Sequence, residues 1–320
     1  MPDVRMPVVE TLDAYRLIYH RDQVWRTVIE AICKRYSFLD EPFVRGPDGT
    51  HIVYFAGQRY VVKLFVPLFA QDFVAEELVA KHLAGKMGVE TPEILAEGQI
   101  EDWQYLIMTR ISGTPLESVW DNLSPIDRQQ IATDVGRMIA YLRTAPISGL
   151  DVVTPDWHEF LAGQVAEVST HHQAVPELVW DPKQEISQFF ASLAGLIYAD
   201  FQPVLLLADI TREHVFVDQL DGCWRMVGYI DFGDAMVGHP DYELVAPGLE
   251  IAGGNPEILQ ALLLAAGYPA NTLDENLCLQ LMAYTLIHRF VDLTSVLSSV
   301  PQARNAANLD ELARLVWPVY

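Results

Sequence analysis

LLLADITREHVFVD, residues 205–218, and VGYIDFGDAMVGHPDYEL, residues 227–244, are the two stretches on which the reading of this chain turns. In each, an apolar β-rich run ends on a carboxylate, Asp209 in the first and Asp231 in the second, 22 positions later. A hairpin between them, with its turn at Asp221-Gly222, would bring both to one rim. Two carboxylates there can divide a reaction, one taking a proton from an acceptor and the other binding a metal. Either alone is the ordinary turn residue or helix cap that ends many strands.

Upstream, the runs PFVRG (42–46), THIVYFAG (50–57) and RYVVKLFV (59–66) read as three antiparallel strands separated by tight turns. Lys63 lies inside the third, where a lysine is costly to bury without a partner and otherwise snorkels to water. A helix is expected over 71–87, with Phe73, Glu76, Ala80, Leu83 and Met87 on one face and a stop at Gly88. Glu76 is then the partner for Lys63, or Glu77 if the helix is turned by one residue. Two more strands, EILAEGQI (93–100) and WQYLIMTRI (103–111), precede a breaker at Ser112-Gly113-Thr114-Pro115. One leading helix is expected over 9–37, and helices dominate both 116–200 and the chain after the β insert. In RGPDGTH, residues 45–51, Gly46 and Gly49 would let backbone approach a phosphate closely, although hairpin turn chemistry explains them too.

The 320 residues exceed what one core usually supports, and a hydrophobic share of 51% excludes a disordered chain. A formal charge of -22 opposes nucleic acid and anionic membranes and suits a cationic or neutral small substrate, although an excess of acid is also a common route to solubility. Cys33, Cys223 and Cys278 form no metal spacing, and no apolar run is long enough to span a bilayer. A cytoplasmic protein with reduced cysteines is expected.

Over roughly residues 40–320 these segments resemble the aminoglycoside phosphotransferase and choline kinase-like branch of the protein-kinase-like fold. Lys63 and Glu76 (or Glu77) match its strand lysine and helix glutamate. GVETPEIL (88–95) is similar to its GVPVPxVL link, and YLIMTRISGTPL (105–116) to its hinge YLLMERLPGxPL. The catalytic loop HGDxxxxNxLxD matches Asp209, but Leu207 and Ala208 replace the His-Gly, and His214 stands where Asn is usual, as it does in macrolide kinases of the family. DxGxAxxGDPxYDL matches Asp231 through Leu244.

The resemblance implies an α+β bilobal fold: an N-terminal helical segment 1–40, a nucleotide-binding lobe 41–112 with a small antiparallel sheet and one helix, and a mostly helical lobe 113–320. It implies ATP and Mg²⁺ as cofactors, with Asp209 as base, Asp231 and His214 at the metal, and backbone of Thr109 to Ile111 at the adenine. Gly46 and Gly49 fall in the phosphate-covering loop. Imidazole is a softer ligand than Mg²⁺ prefers, so the His214 position implies a weakened or absent second metal site; His214 can instead donate to phosphate or a metal-bound water, or be a hydrogen-bonded structural residue. The acceptor is a hydroxyl of a small molecule: an aminoglycoside, macrolide, choline or sugar. Asp151, Asp156, Trp157, Glu159, Glu177 and Asp181 offer acidic and aromatic groups to hold it, or form a solvated helix face. Two other readings stay open, a catalytically inactive nucleotide-binding protein and a transferase that moves the adenylyl part of ATP.

Overall fold

A computed structural model describes residues 5–36, 42–172, 175, 178–197 and 200–319. The chain divides into two compact units, Met1–Ser112 with Gly228–Asp234, and Gly113–Val227 with Ala235–Tyr320.

The first unit holds five strands, β1 (Phe43–Arg45), β2 (Ile52–Ala56), β3 (Tyr60–Phe65), β4 (Ile94–Ile100) and β5 (Trp103–Thr109), in one antiparallel sheet of order β1-β2-β3-β5-β4. Buried Ile52, Tyr54 and Ala56 alternate along β2, the period-two signature of a strand with one face in a core. That core is completed by α1 (Leu12–Tyr19) and α2 (Asp22–Cys33), whose Trp25, Val28, Ile29 and Ile32 recur at helical spacing and are fully or almost fully buried.

The single leading helix expected over 9–37 is therefore two helices, and position 37 lies outside the described residues. At the break the Trp25 indole N–H donates to the carbonyls of Ile18 and Tyr19, and the Ile18 carbonyl also accepts the Arg21 N–H. The helix α3 (Ala70–Leu83) ends before the expected stop, and the chain leaves it through left-handed Gly85 and Gly88.

Among the described residues, the second unit contains short β6 (Thr114–Pro115) and, before the β insert, the helices α4 (Leu116–Val119), α5 (Pro125–Leu142), α6 (Trp157–His171) and α7 (Pro182–Ile197). Ser124 caps α5 by accepting the Asp127 N–H, with Pro125 at the first helical position. Then come β7 (Val204–Leu206), β8 (Val215–Leu220), β9 (Cys223–Tyr229) and β10 (Met236–Gly238). They are followed by α8 (Val245–Pro247), α9 (Pro256–Ala265), α10 (Glu275–Ile287), α11 (Leu293–Ser299) and α12 (Leu309–Val316). Gly136 lets α5 approach α9, since a Cβ there would collide with the Leu262 carbonyl.

The β insert is wired differently from one hairpin linking the two carboxylates. β8 and β9 do form the hairpin, turning through left-handed Asp221 and Gly222, and β6 joins them as a third strand. β7, which precedes Asp209, pairs instead with β10. Among the described residues no helix is long and apolar enough to cross a membrane.

Candidate active site

In the first unit, β3 presents Lys63 to α3 and to the segment after β9. Its Nζ lies 2.7 Å from Glu76 Oε2 and 3.0 Å from Asp231 Oδ2. Lys63 and Glu76 are buried, while the Asp231 side chain is 34% exposed. Glu77 turns the other way and pairs with Lys81 at 2.5 Å. Burial alone would lower the Lys63 pKa, but Asp231 and then Glu76 reverse this and raise it, so the ammonium stays charged. Burial pushes Glu76 up, Lys63 pulls it down and Asp231 pushes again. Two carboxylates thus share one ammonium.

Asp231 sits in the left-handed region, with φ of 72°, and its Oδ1 accepts the Gly233 N–H at 3.2 Å. Such a conformation persists only where its surroundings impose it. Buried Tyr229 and Phe232 flank it with rings 5.6 Å apart, and the Tyr229 N–H donates to the Glu90 carbonyl at 3.0 Å.

The loop after β1 is pinned within this unit. Gly46 N–H donates to the Val53 carbonyl at 2.8 Å, and Gly49 N–H to the Tyr19 hydroxyl at 2.7 Å. His51 Nδ1 accepts the Val66 N–H, so Nε2 carries the proton that bonds Asp72 at 3.0 Å. At the end of β5, Thr109 exchanges two hydrogen bonds with Glu93, Ile111 is buried, and the Ser112 N–H donates to Glu90.

The second unit holds Asp209 just beyond β7. Its carbonyl accepts from Thr211 N–H at 2.9 Å and from His214 Nδ1 at 2.8 Å, closing a tight loop. A nitrogen facing a carbonyl must carry the hydrogen, so neutral His214 keeps its lone pair on Nε2. Arg212 anchors the same loop to Glu117 and Glu250, at 3.1 and 3.2 Å.

Ala208, in place of the resembled glycine, adopts φ of 62°, a left-handed conformation costing a non-glycine residue roughly 1–2 kcal/mol. Buried Glu243 holds it there: Oε1 accepts Leu207 N–H at 2.9 Å and Oε2 accepts Ala208 N–H at 2.8 Å. Sequence reasoning gave Glu243 no role, because an acid in HPDYEL reads as part of a turn and its partners lie 35 and 36 positions away.

Burial raises the Glu243 pKa, the two N–H groups lower it, and Asp209 adds a further push, leaving it at about 8. A folded pKa above the unfolded value makes stability fall as pH rises through that range. Glu243→Gln, less stable at pH 6 because one amide loses its acceptor, should therefore approach the parent's melting temperature by pH 9. His51, His172, His239 and His288 are shifted the opposite way by burial, His288 to about 3. The unfolded chain binds more protons below about pH 6.5, so folding stability should drop between pH 6.5 and 5 in a thermal melt.

Of the residues offered for the acceptor, Asp156 caps α6, Asp181 caps α7 by accepting the Lys183 N–H, and Trp157 is buried against Phe160, Phe201 and Tyr242. Asp151 and Glu159 are exposed, and Glu177 lies outside the described residues.

A family model for phosphotransferase enzymes matches residues 47–270. The chain belongs to the phosphotransferase enzyme family. Viomycin phosphotransferase of Streptomyces vinaceus is 26% identical to this phosphotransferase over 217 residues, covering 62% of this chain and 69% of that protein. The GDP complex of aminoglycoside 2'-phosphotransferase-IIIa superposes with a TM-score of 0.68 at 16% identity, covering 92% of this chain and 97% of the other. The streptomycin–ATP ternary complex of APH(2")-IIa does so with 0.59 at 16% identity, covering 86% and 95%. These neighbours establish the α+β protein-kinase-like fold. This phosphotransferase is a small-molecule kinase.

Proposed function

We propose that this kinase moves the γ-phosphoryl group of ATP to a hydroxyl of a small, basic acceptor. The observation that carries the reading is Lys63 held between Glu76 and Asp231. An ammonium fixed by two carboxylates is a preorganised phosphate donor group, and one carboxylate in excess leaves room for a second cation.

Asp231 suits Mg²⁺, which prefers carboxylate oxygen and takes only one or two protein ligands when phosphates supply the rest. Among the described residues no group of three His, Cys, Asp or Glu could hold a metal alone, in keeping with an ion shared with the nucleotide. Mg²⁺, when bound, neutralises charge on the β- and γ-phosphates. The family likeness further proposes His214 as a metal ligand. Lys63 orients the phosphates, Thr109 to Ile111 line the adenine, and Gly46 and Gly49 belong to the phosphate-covering loop.

Asp209 accepts the acceptor's hydroxyl proton as its oxygen bonds to phosphorus and the bond to the ADP leaving oxygen breaks. The turn retains its left-handed Ala208 under Glu243's grip, which supports activity despite the missing His-Gly. A basic acceptor fits the charge of -22, a relative named for viomycin and neighbours solved with streptomycin and kanamycin. We place the enzyme in the cytoplasm, where ATP is supplied.

A panel of basic antibiotics, choline and amino sugars, assayed for ADP release with Mg²⁺, tests this. One acceptor should gain a phosphoryl group by mass. A product carrying an adenylyl group would overturn the transfer chemistry, and ATP binding without metal-dependent turnover would leave an inactive nucleotide binder.

A further inference from the structure

The helices α1 and α2 precede the span that matches the phosphotransferase family, yet α1 reaches the loop after β1. The Tyr15 hydroxyl donates to the Thr50 carbonyl at 2.9 Å, and the Tyr19 hydroxyl accepts the Gly49 N–H at 2.7 Å. Both rings are immobilised. They pack edge to face at 5.4 Å, Tyr15 lies against Trp103, and the Arg45 guanidinium sits 4.9 Å from the Tyr19 ring centre.

The loop tip has little packing of its own. A side chain at Gly49 would meet no atom within 4 Å, and a cavity of about 330 Å³ opens between Leu12, Tyr15, Tyr19, Gly49, Thr50 and Phe69. At Gly49 the tip is held by a hydrogen bond, with open space where a side chain would point. One end of the loop is tied by Gly46 and the other by His51, and the middle is held by the two tyrosine hydroxyls beside a long, exposed contact of Asp48 with His20 at 3.9 Å.

We infer that Tyr15 and Tyr19 are positioning residues, a clamp from outside the family core that presets the loop for nucleotide phosphates. The inference rests on reading this loop as the phosphate cover. Preset backbone lowers the ordering cost of binding, so the clamp acts on nucleotide affinity and leaves the chemical step and the acceptor untouched.

Tyr15→Phe and Tyr19→Phe keep the buried rings and remove only the hydroxyls. Each should raise the nucleotide KM about fivefold, one net hydrogen bond's worth, with kcat and the acceptor KM unchanged. Amide exchange at 48–50 should accelerate in the nucleotide-free variants, a readout that needs no activity. A nucleotide KM equal to or below the parent's, in a variant whose loop does exchange faster, overturns the clamp and leaves phosphoryl transfer standing. Unchanged exchange overturns it directly. A parent enzyme that binds no nucleotide sinks the phosphoryl-transfer reading, and the clamp with it.

Discussion

Asp209→Asn should reduce single-turnover phosphoryl transfer by about 10²- to 10⁴-fold while nucleotide affinity stays within about twofold of the parent. The amide keeps the size of the carboxylate, and the hydrogen bonds that close the loop run to the Asp209 backbone carbonyl, which the substitution does not touch. The substitution removes the proposed proton acceptor and, with it, the charge that faces His214 Nδ1 at 3.5 Å and pushes on Glu243. Turnover within about threefold of the parent, measured by rapid quench with nucleotide saturating, would remove Asp209 from the chemistry.

Asp231→Ala should weaken Mg·ATP binding by about 10²-fold or more, with a much smaller loss for ATP measured in chelator. The fold should tolerate the change, because Lys63 retains Glu76 and is left in a one-to-one pair. Alanine is harder to hold at a positive φ than aspartate, so Asp231→Asn serves as the companion that keeps the turn. Calorimetry with and without Mg²⁺ separates the two roles. Equal losses in both conditions would make Asp231 a structural partner of Lys63 and nothing more.

The pairing of Lys63 with Glu76 was legible because two local periodicities point at it. A strand run placed the lysine among apolar residues, and helical spacing put Glu76 on the face of Phe73, Ala80 and Leu83, all of which are buried. The split between α1 and α2 was not legible, since apolar residues recur at helical spacing on both sides of it and the Tyr19 carbonyl at the break is satisfied by an indole six residues downstream. β6 and β10 are two and three residues long and exist only through partners far along the chain, so no run of their own announces them. Glu243, Tyr15 and Tyr19 act on backbone amides and carbonyls, which every residue carries, and such contacts leave no trace in residue spacing. The roles proposed for Asp209, Asp231 and His214 rest on likeness to a family; patterning alone offered two carboxylates after strands that could divide a reaction between them.

The first unit is discontinuous in sequence, and that has a consequence for synthesis. Residues 228–234, which bring Asp231 to Lys63 and tie Tyr229 to Glu90, are made only after the 115 residues from Gly113 to Val227. At about 5–20 residues per second, a ribosome needs roughly 6–23 s to deliver them. During that interval the nascent sheet carries a lysine with one of its two carboxylates and a Glu90 carbonyl still waiting for its strand partner. A fragment ending at Ser112 would be in the same condition permanently, so the first unit cannot be excised at Ser112 and must be expressed as part of a chain reaching Asp234 or beyond.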